Sequence, residues 1–423
     1  MTVSSDPTLT GVAAPKAVSV QPAVLGRDPR LDFFRGIAMF IILIAHTPGN
    51  WVTLWIPARF GFSDATEIFV FCSGMASAIA FGKVFRTKGF AMGTARVAFR
   101  VWQVYWAHIG LFLAVACTML VLNAYGLGTR DYVGQLNLWL FFAHVETQLI
   151  GLLTLTYVPN YFDILPMYLV VLAMMPLVIV LGDFNRWAAF AFVIAVWILA
   201  QLDMAQLPAE LWHVRGNSGE VPEWSTREWF FNPFGWQLVF FTGFAFMSGW
   251  LPKPPVTWWL IAIAVVIVLT TVPFAYFRIW REVPELSEAR TFLRNVPFFA
   301  GMEISLTGKT DFGLFRYLHF LALAYIAWCA VGPRGERVLP PTSGIVASLW
   351  GPVLAAIMKV GQQSLAVFIA SMYMARIMGV ILDNSGRTHM TMTLVNVGGI
   401  LFLIALAYSV GWFKSQPWRS KKA

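Results

Sequence analysis

The stretch Arg30-Leu-Asp-Phe-Phe-Arg35-Gly-Ile-Ala-Met-Phe-Ile-Ile-Leu-Ile-Ala-His46, followed by Thr47-Pro48-Gly49-Asn50, sets how the rest of the chain is read. Arg30, Asp32 and Arg35 open it, ten apolar or glycine residues follow, and one imidazole closes it. A helix rises ~1.5 Å per residue, which places His46 roughly 16 Å along the axis from Arg35. That is about half of a ~30 Å hydrocarbon layer. A titratable side chain at such depth is costly to insert and by default marks a functional site. Pro48 and Gly49 stop the helix just beyond it.

The whole chain shares this character. Of 423 residues, 58% are hydrophobic and only 12% are charged, half the share usual in a soluble domain. Apolar segments of membrane-spanning length recur at 33–45, 65–81, 97–122, 161–181, 187–202, 232–251, 256–277, 316–331, 364–381 and 394–412. The expected fold is therefore all-α, a polytopic membrane protein of about ten transmembrane helices with no separate soluble domain. Residues 132–155 read as an interfacial or partly re-entrant segment, and 332–359 as a loop holding a short amphipathic helix. Residues 1–29, rich in Ser, Ala, Pro and Val, read as a disordered tail without the charged and apolar regions of a secretory signal. Residues 30–413 form the membrane domain, and 414–423 a basic tail.

Ten is an even number, so both termini are expected on one side. Lys and Arg are more numerous in the loops of that side, whereas most of those opposite sit in the single long loop from Arg278 to Arg316. Long loops weigh little in orientation, so both termini are expected in the cytoplasm. The net charge of +9 is explained by these short basic loops, and no basic domain that would hold nucleic acid is present. The cysteines, Cys72, Cys117 and Cys329, lie in apolar runs without metal-ligand spacing and read as small buried hydrophobes. No metal site is expected.

This topology puts Arg30 and Arg35 at the cytoplasmic face and His46 toward the outer one. Asp64, Glu67, Asp163, Trp236, Gln237, Arg316 and His319 also fall near the outer face. A histidine there can act as a general base toward a hydroxyl, with Asp64 or Glu67 orienting its ring. Arg30 or Arg35 would suit an anionic cytosolic donor. The same residues have plainer readings. Asp64 and Glu67 stand three apart at a helix start, as in a capping box. Arg30 and Arg35 could be ordinary orientation anchors, and Ser73-Gly74 a close-packing site between helices. The sequence contains no Gly-rich phosphate loop, no Gly-x-Ser-x-Gly and no His-Glu-x-x-His.

The spacing of Arg35 and His46 resembles the arginine-ten-histidine motif of the membrane acyltransferase superfamily that O-acylates cell-surface glycans. The fuller text is similar to one branch, the OpgC family: Arg30-Leu-Asp-Phe-Phe-Arg-Gly with His46-Thr-Pro-Gly-Asn, and Phe60-Gly-Phe-Ser-Asp-Ala-Thr-Glu-Ile-Phe-Val-Phe-Cys-Ser-Gly74. Weaker likenesses are Phe162-Asp-Ile-Leu-Pro-Met-Tyr168, Phe231-Asn-Pro-Phe-Gly-Trp-Gln237 and Leu318-His-Phe-Leu-Ala-Leu-Ala-Tyr325. The resemblance implies a succinyltransferase of the bacterial inner membrane that acts on osmoregulated periplasmic glucans with succinyl-coenzyme A as co-substrate and no bound cofactor. It carries the motif's arginine and histidine onto Arg35 and His46. Asp64 and Glu67 come with the matching block, without an assured role.

The expected function is O-acyl transfer from cytosolic acyl-coenzyme A to a periplasmic glycan, with the lipid bilayer as the third partner. His46 serves as general base or transient acyl carrier, Arg30 and Arg35 meet the donor, and Asp163, Trp236, Gln237, Arg316 and His319 form an acceptor site. The alternative is a proton-coupled transporter or flippase of an acidic or sugar substrate with His46 as its proton site. The absence of an internal repeat counts against it.

Overall fold

The computed structural model of the protein describes residues 28–210, 227–298, 301–332 and 335–419. The expected disordered tail up to residue 27 lies outside them, as do His213, Glu220, Glu223, Arg334 and residues 420–423 of the basic tail. In chain order the helices are α1 (Pro29–His46), α2 (Ala65–Ala80), α3 (Gly82–Ala124), α4 (Trp139–Ala143), α5 (Val145–Thr154), α6 (Ile164–Phe184), α7 (Arg186–Gln201), α8 (Pro233–Ser248), α9 (Trp258–Ala275), α10 (Phe277–Trp280) and α11 (Pro284–Arg294). A two-residue antiparallel pair, β1 (Val296–Pro297) and β2 (Glu303–Ile304), precedes α12 (Leu314–Val331), α13 (Ile345–Gln362), α14 (Ser364–Ser385) and α15 (His389–Ser415). The protein is an all-α polytopic membrane protein. Seven of the described helices are long and apolar enough to cross a membrane.

Helix α1 begins where the sequence supplies a start. Pro29 occupies its first turn, and the Asp28 side chain accepts from the Arg30 N–H. It packs against α2, α13, α14 and α15. Small residues set how closely these helices approach. A Cβ on Gly36 would overlap the Ile357 carbonyl of α13, and one on Gly361 would overlap the Asp32 carbonyl of α1. The expected packing role of Ser73-Gly74 is seen between α2 and α8, where Gly74 meets the Phe240 carbonyl and Gly243 meets the Phe71 carbonyl.

Contacts at the helix ends define two faces. On one, Arg30 approaches Gly332 at the end of α12, Arg35 donates to Ser364 at the start of α14, and Lys414 of α15 donates to Gln363 at 2.7 Å. Both ends of the described chain therefore lie on this face. The other face gathers the end of α1 and the starts of α2, α6, α8, α12 and α15. Here Asp64 meets Lys309, Glu67 meets Arg316, His46 packs on Tyr161, and Trp51 packs on His389.

The ten expected segments all occur as helices, with differences between them. The short amphipathic helix expected within 332–359 is the 18-residue α13. By length and composition it could cross the membrane. Its contacts keep it on the first face instead. Trp350 donates to the Val338 carbonyl beside the end of α12, and Gly361 packs on Asp32 of α1. The segment leaves and returns on one face. Helix α3 starts well before residue 97 and bends at Gly89, whose φ of 80° suits glycine. Residues 132–155 hold two short helices, α4 and α5, and α5 with ten residues is too short to cross.

Candidate active site

His46 is the last residue of α1. Its Nδ1 lies 2.8 Å from the Ile42 carbonyl one turn back. A carbonyl only accepts, so Nδ1 carries the proton and Nε2 presents a lone pair. The carboxylate expected to orient the ring is thus replaced by the backbone of its own helix. The ring is half-buried and meets Tyr161 edge to face, with centroids 5.5 Å apart. The charges that act on it are Lys309 and Arg376, then Asp64.

Tyr161 has a φ of 91°, an unusual value for a side chain of this size. Such a conformation costs on the order of 1–3 kcal/mol and persists where the surroundings enforce it. Two contacts hold it here. The hydroxyl donates to the Met372 carbonyl of α14, and the Arg376 guanidinium lies 4.1 Å above the ring. Arg376 and His46 thus both pack on the Tyr161 ring. Neither Tyr161 nor Arg376 was among the sequence candidates. The available signal for Arg376 was a charge near the middle of an apolar span. For Tyr161 there was no signal, because its role depends on a backbone conformation.

The expected capping box at the start of α2 is present in both halves. Asp64 accepts from the Thr66 N–H, and Glu67 accepts from the Asp64 N–H at 2.7 Å. Each carboxylate also has a cation. Asp64 pairs with Lys309 at 2.5 Å, and Glu67, fully buried, pairs with Arg316 at 2.7 Å. Burial opposes ionisation of Asp64, but Lys309 and Arg316 outweigh it and hold the carboxyl well below the usual carboxylate range. Arg316 and His319 share a face of α12, as their spacing implies. His319 Nδ1 accepts from the Ser63 N–H at 3.3 Å and lies 2.7 Å from Ser63 Oγ. Its buried Nε2 has no partner among the described residues, and its ring fills the space left by Gly61.

The other expected acceptor residues separate into different roles. Trp236 donates from Nε1 to the Lys309 carbonyl at 2.8 Å, which fixes the segment that reaches Asp64. The same segment is tied down by Asn232, whose Nδ2 donates to Asp311 at 2.9 Å. Gln237 points away from His46: its Nε2 donates to the Val193 carbonyl of α7 at 2.7 Å and to Phe234. That side chain joins α7 to α8 and does not line the site. Asp163 precedes α6 with its side chain buried. Burial pushes its carboxyl up to about 7, against the pull of Arg227.

At the opposite end of α1, Arg30 pairs with Asp28 at 2.5 Å and stacks 4.2 Å above Trp328. Arg35 donates to Ser364. Arg30 and Arg35 both lie on the face away from His46, Arg30 against the end of α12 and Arg35 against the start of α14. No group of His, Cys, Asp and Glu able to hold a metal ion occurs among the described residues.

The polar residues thus form an imidazole with a free lone pair at one end of a helix and a pair of guanidinium groups at the other. Such a site can accept a proton from a hydroxyl on one side and meet an anion on the other. No curated protein and no solved structure matches the chain. The model of the family described as OpgC protein matches residues 27–415, nearly the whole sequence and every helix described above, and the chain belongs to that family.

Proposed function

We propose that this OpgC-type glucan-modifying acyltransferase moves a succinyl group from succinyl-coenzyme A in the cytosol to hydroxyls of a periplasmic glucan. The observation that carries the reading is His46: half-buried, fixed through Nδ1 to Ile42, with its basic Nε2 available beside Tyr161. In this reading Nε2 takes the proton of an acceptor hydroxyl as that oxygen attacks the thioester carbonyl. The ester C–O bond forms, the C–S bond breaks, and the imidazolium returns the proton to the departing thiolate. The Arg30 and Arg35 end of α1 would face the cytosol and the phosphates of the donor, which agrees with the excess of basic residues in the short loops of that face. Asp64 and Glu67 act through Lys309 and Arg316, holding the mouth of the site rather than the imidazole.

The test uses purified protein in proteoliposomes with succinyl-coenzyme A and a glucan acceptor, read as glucan-linked succinate. Wild-type protein yields the ester and His46→Ala yields none above background. Full ester formation by stably inserted His46→Ala would sink the proposal.

A further inference from the structure

Arg376 sits near the middle of α14, a helix apolar enough to span the membrane. A charge at that depth is rare and is ordinarily paired. The neighbouring cations are paired: Lys309 has Asp64, Arg316 has Glu67, and Arg387 and Arg130 share Asp383. Arg376 has no carboxylate partner among the described residues. It lies against the face of the Tyr161 ring, and its buried Nε has no hydrogen bond among the described residues. A guanidinium offers five N–H donors in a planar fork that matches a carboxylate, and most of that capacity is unused among the described residues.

We propose that Arg376 binds a free carboxylate at the far end of the transferred acyl chain, and so selects short dicarboxylic acyl groups over neutral ones. The inference rests on acyl transfer at His46. An oxyanion donor must lie within about 3 Å of the reacting carbonyl oxygen. The guanidinium lies 4.1 Å above the Tyr161 ring, and that ring packs on the imidazole with centroids 5.5 Å apart, so Arg376 borders the site through a shared neighbour and makes no hydrogen bond to the imidazole among the described residues. It is well placed for a group a short chain further on. The incoming carboxylate would supply the counter-charge that the protein lacks, and the strained Tyr161 backbone holds the two ends of the site at a fixed separation.

The test compares succinyl-coenzyme A with butyryl-coenzyme A, which has the same four-carbon chain without the carboxylate. Wild-type protein in proteoliposomes with glucan is expected to favour the succinyl donor by ~100-fold or more in kcat/KM, as for a site left with an unmatched buried polar group by the wrong substrate. Arg376→Gln is expected to collapse the preference for succinyl over butyryl to within roughly threefold, mainly through a raised KM for the succinyl donor. Arg376→Lys keeps the charge without the fork and falls between, which decides the matter if the Gln variant does not fold. Equal losses for both donors would assign Arg376 a structural role and overturn the proposal, as would a wild-type protein indifferent to the carboxylate. Transfer of neither donor by the wild-type protein would instead overturn the acyltransferase reading itself.

Discussion

At the start of α2 every charge has a partner. Asp64 meets Lys309, Glu67 meets Arg316, and the two carboxylates cap the helix as well. In the neighbouring group of His46, Tyr161 and Arg376 the opposite holds. The imidazole makes one bond to its own helix, and the guanidinium has an aromatic ring where a carboxylate would be expected. Both regions are polar and lie at the same face of the protein, yet they differ in what remains available. A fully paired network fixes loops and helix starts, because breaking it leaves buried charge. A group with unused hydrogen-bonding capacity is the one that can meet a substrate. The carboxylates that seemed from sequence to serve the histidine belong to the first region.

The sharpest test of this division is His46→Ala. Acyl transfer should fall by ~10³-fold or more if the base is essential, while the thermal midpoint in detergent stays within a few degrees, since only an intrahelical hydrogen bond is lost. A variant that unfolds would place His46 with the structural groups. Glu67→Ala should behave in the opposite manner. It leaves Arg316 buried without a counter-charge, for an expected loss of about 3–5 kcal/mol in denaturant unfolding. Adding Arg316→Leu should recover part of that loss. If Glu67→Ala lowers only activity, the paired region is not mere architecture.

Gly61→Ala probes the edge between the two regions. The new methyl would press on the His319 ring and separate it from Ser63, for about 1–3 kcal/mol of destabilisation by the same measurement. At Asp163 the effect depends on pH and vanishes in acid. Its carboxyl is raised from 3.8 to about 7, so the folded state holds the proton more tightly than the unfolded chain. Wild-type stability should therefore decline as pH rises from about 4 through 7. Asp163→Asn removes that decline, giving little gain at pH 4 and up to about 4 kcal/mol at pH 8. A difference independent of pH would mean that Asp163 is ionised throughout.

Much of the molecule was legible in the chain because its elements are set by local pattern. Apolar length gave the helices, Pro29 and Pro48 bounded α1, and the Asp64–Glu67 spacing gave the capping box. Gly74 read correctly as a packing site, since only glycine lets the α8 backbone come so near. Residues 332–359 were less clear, because an amphipathic segment of spanning length can lie on a membrane or cross it. The contacts of Trp350 and Gly361 decide between the two. Gln237 was misplaced for a related reason: its helix position was right, but the direction of its side chain depends on where α7 packs.

The sequence by itself determined an all-α membrane protein, the family text around Arg35 and His46, and a histidine at the end of its first helix. These follow from composition, periodicity and spacing within one segment. Only the tertiary structure decided which charges neutralise one another. Asp64 finds Lys309, Glu67 finds Arg316, and Tyr161 meets both His46 and Arg376 through partners far apart in the chain. Electrostatic pairing depends on distances of a few ångströms between helices, and those distances are set by packing that no single segment encodes.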